Sequence, residues 1–158
     1  MPEDLLDPGA RSFWEMIAAA LLCGGAVGLE RQLRGKVAGM RTSILICLGT
    51  ALFVRLGMAT VPQGADPTRV LGQVVSGIGF LGGGVILSRG DRVVGVTTAA
   101  VIWILAAVGS LLGAGHIRTG IIAALLALLV LLGVEGFENL GRGRGLRGSG
   151  THGAVDGE

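Results

Sequence analysis

Apolar residues in this chain come in long runs, and most of the charge falls in the gaps between the runs or at their edges. Five runs can be drawn, at residues 13–29, 42–61, 70–88, 93–115 and 117–137. Each is near the ~20 residues that a helix rising about 1.5 Å per residue needs to cross a hydrocarbon core of about 30 Å. None alternates strictly, so a barrel is excluded, and every backbone amide in hydrocarbon must then be satisfied within its own helix. The pattern predicts an all-α polytopic membrane protein, a bundle of five transmembrane helices. Residues 1–12 would form an extracytoplasmic segment, 13–137 the transmembrane domain and 138–158 a disordered cytoplasmic tail.

Composition agrees: hydrophobic residues make up 51% of the chain, and the mean hydropathy is +0.71. The basic residues give an orientation, because Lys and Arg are retained on the cytoplasmic side in short loops. Nine of the thirteen fall on one side: Arg31, Arg34, Lys36 and Arg41 after the first run, Arg89 and Arg92 after the third, and Arg142, Arg144 and Arg147 in the tail. Arg11, Arg69 and Arg118 fall on the other, and Arg55 lies within the second run. The N-terminus is expected outside and the C-terminus inside. The acidic start lacks a basic stretch and does not read as a cleaved signal peptide. The tail alternates glycine with arginine and then turns polar, with nothing apolar to bury. Its arginines read as topology determinants, and no nucleic-acid partner is expected.

The third run holds six glycines, at 72, 77, 79, 82, 83 and 84. Glycine weakens a helix by roughly 1 kcal/mol relative to alanine, so this many imply close helix contacts or main chain that leaves helical geometry inside the protein. Four-residue glycine spacings at Gly24 and Gly28, Gly79 and Gly83, and Gly109 and Gly113 let helices touch backbone to backbone. They favour a compact bundle, a homo-oligomer, or both. Ser76, Gly77, Gly79, Gly82, Gly83 and Gly84 are expected to loosen the cytoplasmic half of the third helix and open a polar crevice. Close packing, with hydroxyls bonded back to their own helix, is the plainer reading.

The loop after the first run packs charge between two crossings. It is not a phosphate loop, since Glu30 stands where the first glycine belongs and Val37 where a hydroxyl belongs. Glu30 lies at the edge of the core beside Arg31, where a carboxylate must be paired or hydrated. Gly35 and Gly39 allow the main chain close to an anion or another helix. With Lys36, Arg41, Thr42, the third-run glycines and, after Arg89, Asp91 and Arg92, the fourth-run Gly95, Thr97 and Thr98, these residues are expected to converge on the cytoplasmic face. Arg55 is the one charge well inside a run, away from its ends; it either snorkels to the outer surface or lines a pathway. Cys23 and Cys47 read as small apolar groups, and His116 as an interfacial residue. No cofactor motif, metal site or catalytic constellation is present, so no enzyme is expected.

Several motifs then stand in order: GLERQ at 28–32, AGMRT at 38–42, QVVSGIGFLGGGVI at 73–86, and GVTTAA at 95–100 followed by Trp103. In these the chain resembles the MgtC/SapB family of bacterial inner-membrane proteins, over about residues 20–135. The resemblance implies a five-span domain tied to growth in low magnesium and, in pathogens, to survival inside macrophages. It also implies restraint of the proton-driven ATP synthase as a role of some members. Thr97 stands where the best-known members have asparagine, and Ile104 where they have cysteine. Longer members carry a further cytoplasmic domain.

Two functions are weighed. The first is a non-enzymatic inner-membrane modulator of membrane energetics or ion homeostasis, acting on a membrane complex such as ATP synthase. The second is an oligomeric transporter or channel for an ion or small solute, with its pathway along the glycine-rich third helix.

Overall fold

A computed structural model describes residues 6–60, 66, 68–89 and 92–145. Five helices follow in order, α1 (Arg11–Leu33), α2 (Met40–Thr60), α3 (Thr68–Gly84), α4 (Val96–Gly113) and α5 (Ile117–Gly145). Between α3 and α4 stand two short strands, β1 (Leu87–Arg89) and β2 (Arg92–Val94). The chain is all-helical apart from this hairpin. Three helices, α1, α2 and α4, are long and apolar enough to cross a membrane; the apolar part of α5, Ile117–Gly133, is shorter. At 17 residues, α3 is about 26 Å long.

Local chemistry sets the helix ends. α1 and α4 stop in the same way, at a glycine in the left-handed region. Gly35 has φ 64° and Gly115 φ 84°. After α1, Gly35 N–H donates to the Gln32 carbonyl and Lys36 N–H to the Arg31 carbonyl. After α4, Gly115 N–H donates to Leu112 and His116 N–H to Leu111. Both are Schellman motifs, which satisfy the last carbonyls of a helix and turn the chain back in a few residues. Just before α3, Asp66 Oδ1 accepts the N–H of its first residue, Thr68, at 2.8 Å, satisfying one of the orphan donors of the helix start.

Up to Leu128 the described chain is one packed unit, and α2 lies at its centre, against both α1 and α4. Gly24 and Gly28 let α1 meet the first turns of α2: a Cβ on Gly24 would stand 2.8 Å from the Ser43 carbonyl, and one on Gly28 2.6 Å from Met40 Cα. Gly109 and Gly113 do the same for α4, where added Cβ atoms would strike the Cys47 and Ala51 carbonyls. Met16, Ala20, Cys23, Cys47, Ala51, Val108, Leu112 and Ala124 fill the core between them. Both cysteines are free thiols within it. α3 rests on α4 through Ile78, which shares a smaller cluster with Ala38, Ile102 and Ala106.

Two expectations for the third run need correction. It ends at Gly84, four residues early, and β1 and β2 pair antiparallel, Leu87 with Val94 and Arg89 with Arg92. α3 is also helical through its glycines rather than loosened. An i to i−4 ladder satisfies every amide from within, which in apolar surroundings outweighs glycine's weak propensity. Of the three glycine pairs, only Gly79 and Gly83 meet nothing within 4 Å. α5 continues to Gly145, past the expected end of the fifth crossing, and residues 129–145 are helix described on their own. Residues 1–5, 61–65 and 146–158, with the expected topology role of the tail arginines beyond 145, lie outside the described residues.

Candidate functional site

Polar side chains gather inside the bundle at the end that carries the α1–α2 loop. Glu30 and Arg31, in the last turn of α1, are 7% and 2% exposed, Ser43 in the first turn of α2 is fully buried, and Thr98 in the first turn of α4 is 6% exposed. Helix geometry brings them together. Gly28, one turn before Arg31, admits Met40 and Ser43 at contact distance, and α4 starts at Gly95, with φ 93°, where an added Cβ would strike the Val85 carbonyl.

Arg31 Nη2 donates to Thr98 Oγ1 at 3.1 Å, a hydrogen bond between residues 67 apart in sequence. Glu30 pairs with Arg34 one turn on, Nε to Oε1 at 2.5 Å. Glu30 Oε2, Arg31 Nε and Ser43 Oγ are buried without a hydrogen-bond partner among the described residues. Two guanidinium groups against one carboxylate leave the cluster cationic. Leaving such atoms unmatched costs about 1–3 kcal/mol each, so the cluster is not what packing alone would select.

The loop folds over this end. Ala38 is buried against Ile78 and Ile102, and Gln32 Oε1 accepts the Met40 N–H at 3.3 Å. A Cβ on Gly39 would sit 3.3 Å from that same Oε1. Lys36, in this loop, and Arg41, at the start of α2, are exposed and make a cationic rim at this end of the bundle.

A second buried arginine stands at the other end. Arg55 is 2% exposed, with Nη2 on Ser12 Oγ at 3.0 Å and Nη1 on the Ser12 carbonyl at 3.4 Å. Its guanidinium carbon lies 5.8 Å from the centre of the Phe13 ring, a cation–π distance. Arg55 therefore reaches toward the surface end of α1 and is held there. The apolar core of Met16, Ala20, Cys23, Cys47, Ala51 and Leu112 lies between the two arginines.

The expected convergence is thus partial. Glu30, Arg31 and Thr98 meet, and Lys36, Gly39 and Arg41 form the rim beside them. Thr42 and Gly77 line a groove between α2 and α3, and Gly82 packs against Ala99. Ser76, Gly79, Gly83, Gly84, Thr97 and Trp103 face outward, away from the cluster. Asp91 and the side chains of Arg89, Arg92 and Glu135 lie outside the described residues. Ser43 was missed; its place two residues after Arg41 on a helix facing Gly24 and Gly28 was the available signal.

The MgtC family pattern matches residues 17–140, which covers most or all of each of the five helices. This chain belongs to the MgtC family. Among its curated relatives in that family, YhiD of Escherichia coli (strain K12), named as a candidate magnesium transporter, is 49% identical over 123 residues, 73% of this chain and 57% of that protein. Protein MgtC of Brucella abortus (strain 2308) is 46% identical over 114 residues, 72% of this chain and 48% of the relative. Protein MgtC of Salmonella typhimurium (strain 14028s) is 43% identical over 112 residues, 71% and 48% respectively. The chain spans about half the length of these relatives, and none of their names denotes an enzyme. No solved structure matches.

Proposed function

We propose that this MgtC-family chain is a multi-pass inner-membrane modulator without enzymatic activity, acting in magnesium homeostasis and membrane energetics. Its N-terminus is outside, so the buried cluster and its rim face the cytoplasm. The observation that carries the reading is the cluster itself. Arg31 and Thr98 join α1 to α4, and Glu30 and Ser43 are buried at the same end with polar atoms unmatched, so few polar contacts hold that end in one arrangement. Such an element can be biased by a partner that binds the rim. A homo-oligomer and a proton-driven ATP synthase or cation transporter are the partners proposed, the latter from the family resemblance.

Two features weigh against a route for magnesium through one chain. Magnesium takes oxygen ligands and keeps much of its water, whereas this cluster presents two guanidinium groups to one carboxylate. The apolar core then separates it from Arg55. α3 is helical to Gly84, which weighs against a pathway lined by its freed carbonyls.

The test is complementation of a strain lacking the gene, in limiting magnesium, with growth and membrane potential both read. Arg31→Met, present in the membrane at wild-type abundance, is expected to lose growth support and to shift the potential toward that of the deletion. Full growth and an unchanged potential would defeat the proposal.

A further inference from the structure

Between α2 and α3 lies an apolar groove of about 800 Å³, within the ~300–1,000 Å³ of built small-molecule sites. Its floor is formed by Ile46, Val74 and Ile78, which rest on α4. The two helices meet at one end, where a Cβ on Gly57 would run into Val70, and stand apart further along, where Cβ atoms on Gly49 or Gly77 would meet nothing within 4 Å. The groove is therefore narrowed near Gly57 and wider toward Thr42 in the first turn of α2. From Thr42 to Gly57 the helix advances about 22 Å, enough for an acyl chain that fills one half of a core of about 30 Å.

Charge decides what covers the mouth. Arg41 is exposed and one helical turn before the lining residue Leu45, so it stands on the groove side of α2. Among the described residues no ion pair includes it, and Lys36 adds a second exposed cation on the same rim. An apolar slot capped by cations fits an amphiphile with a negative head.

We infer that the α2–α3 groove binds an anionic phospholipid, one acyl chain in the slot and the phosphate at Arg41. The inference stands on the groove and its mouth, independently of the proposed modulator role.

The test uses the full chain in nanodiscs of equal phosphatidylglycerol and phosphatidylcholine, with retained lipid counted by native mass spectrometry after release into detergent. The wild type is expected to retain phosphatidylglycerol several-fold over phosphatidylcholine. Arg41→Gln is expected to reduce that preference about five-fold, the effect of one surface cation on an anionic headgroup. Gly77→Leu fills the slot and is expected to abolish retention. Gly79→Leu, equally open but outside the lining, is expected to leave it intact. Gly49→Leu serves as the second filling variant, should helical content show that Gly77→Leu misfolds. Equal retention of both lipids, or retention unchanged in both filling variants, overturns the inference. So does loss of a dimer with unchanged lipid in a filling variant, because the slot would then hold a second copy of the chain.

Discussion

Thr98→Val removes the acceptor of the Arg31 Nη2 hydrogen bond while keeping shape and volume. In the wild type that bond, at 3.1 Å, is the one side-chain hydrogen bond among the described residues made by a guanidinium that is 2% exposed and whose Nε is already unmatched. Hydrogen bonds to charged groups are worth about 1.5–3 kcal/mol, and the loss is asymmetric because the orphaned charge stays buried. An unfolding equilibrium shifted about 10- to 150-fold toward the unfolded state follows. Arg31→Met removes the charge as well, so Thr98→Val in that background should cost well under half as much, as when a buried polar pair gives way to apolar groups. The assay is equilibrium unfolding in mixed micelles across the four-member cycle. A Thr98→Val variant within about 0.5 kcal/mol of wild type, or strictly additive effects, would refute the reasoning: Arg31 would then be solvated by another route and the cluster would not hold α1 to α4.

Glycine substitutions should divide by contact. Gly109→Ala, whose Cβ would strike the Cys47 carbonyl, is expected to destabilise by about 1–3 kcal/mol, whereas Gly83→Ala, with open space around it, should be neutral or stabilising by up to about 1 kcal/mol; thermal unfolding in detergent separates them. At the far end, Ser12→Ala removes the side-chain acceptor of Arg55 and should loosen the start of α1, read as faster amide exchange at residues 12–16 with the Arg31 end unchanged. Outside the bundle, hydrogen bonds from Thr68, the hydroxyl first and then its N–H, hold the Asp66 carboxyl below its usual range. Its folded value being depressed, the stabilisation it gives is present above the unfolded value and lost as pH falls through the folded one. Thr68→Val should bring the Asp66 titration back toward about 3.9, followed by NMR of the side-chain carboxyl.

The helices were legible because hydrocarbon leaves the backbone few choices: long uncharged runs must be helices, and the glycines at 35 and 115 mark where two of them stop. The pairs Gly24 with Gly28 and Gly109 with Gly113 were read as contact surfaces, and both seat α2. Span 3 misled for a physical reason. Its glycines were weighed by propensity in water, where a loosened helix can hydrate its amides; here the ladder holds and the glycines at 77, 79, 83 and 84 are simply uncovered within the chain. The hairpin after it carries a sequence signal in Gly90-Asp91 between Leu87 and Val94, a two-residue turn composition flanked by apolar positions, but the strand residues Leu87, Ser88, Val93 and Val94 fall at the ends of two hydrophobic runs and read as parts of them. Glu30 and Thr98 were legible as polar groups at helix ends. That Arg31 turns inward to Thr98 was not, because which face of α1 is buried depends on the contact at Gly28 with Met40 and Ser43.

On the proposed reading, the buried cationic cluster serves regulation and is not a station on a magnesium route. Magnesium entry into proteoliposomes containing only this chain, followed by a trapped magnesium-sensitive dye under an imposed membrane potential, tests it most directly. The account predicts entry no faster than in protein-free vesicles. Saturable entry by the wild type, lost in Glu30→Gln, would contradict it.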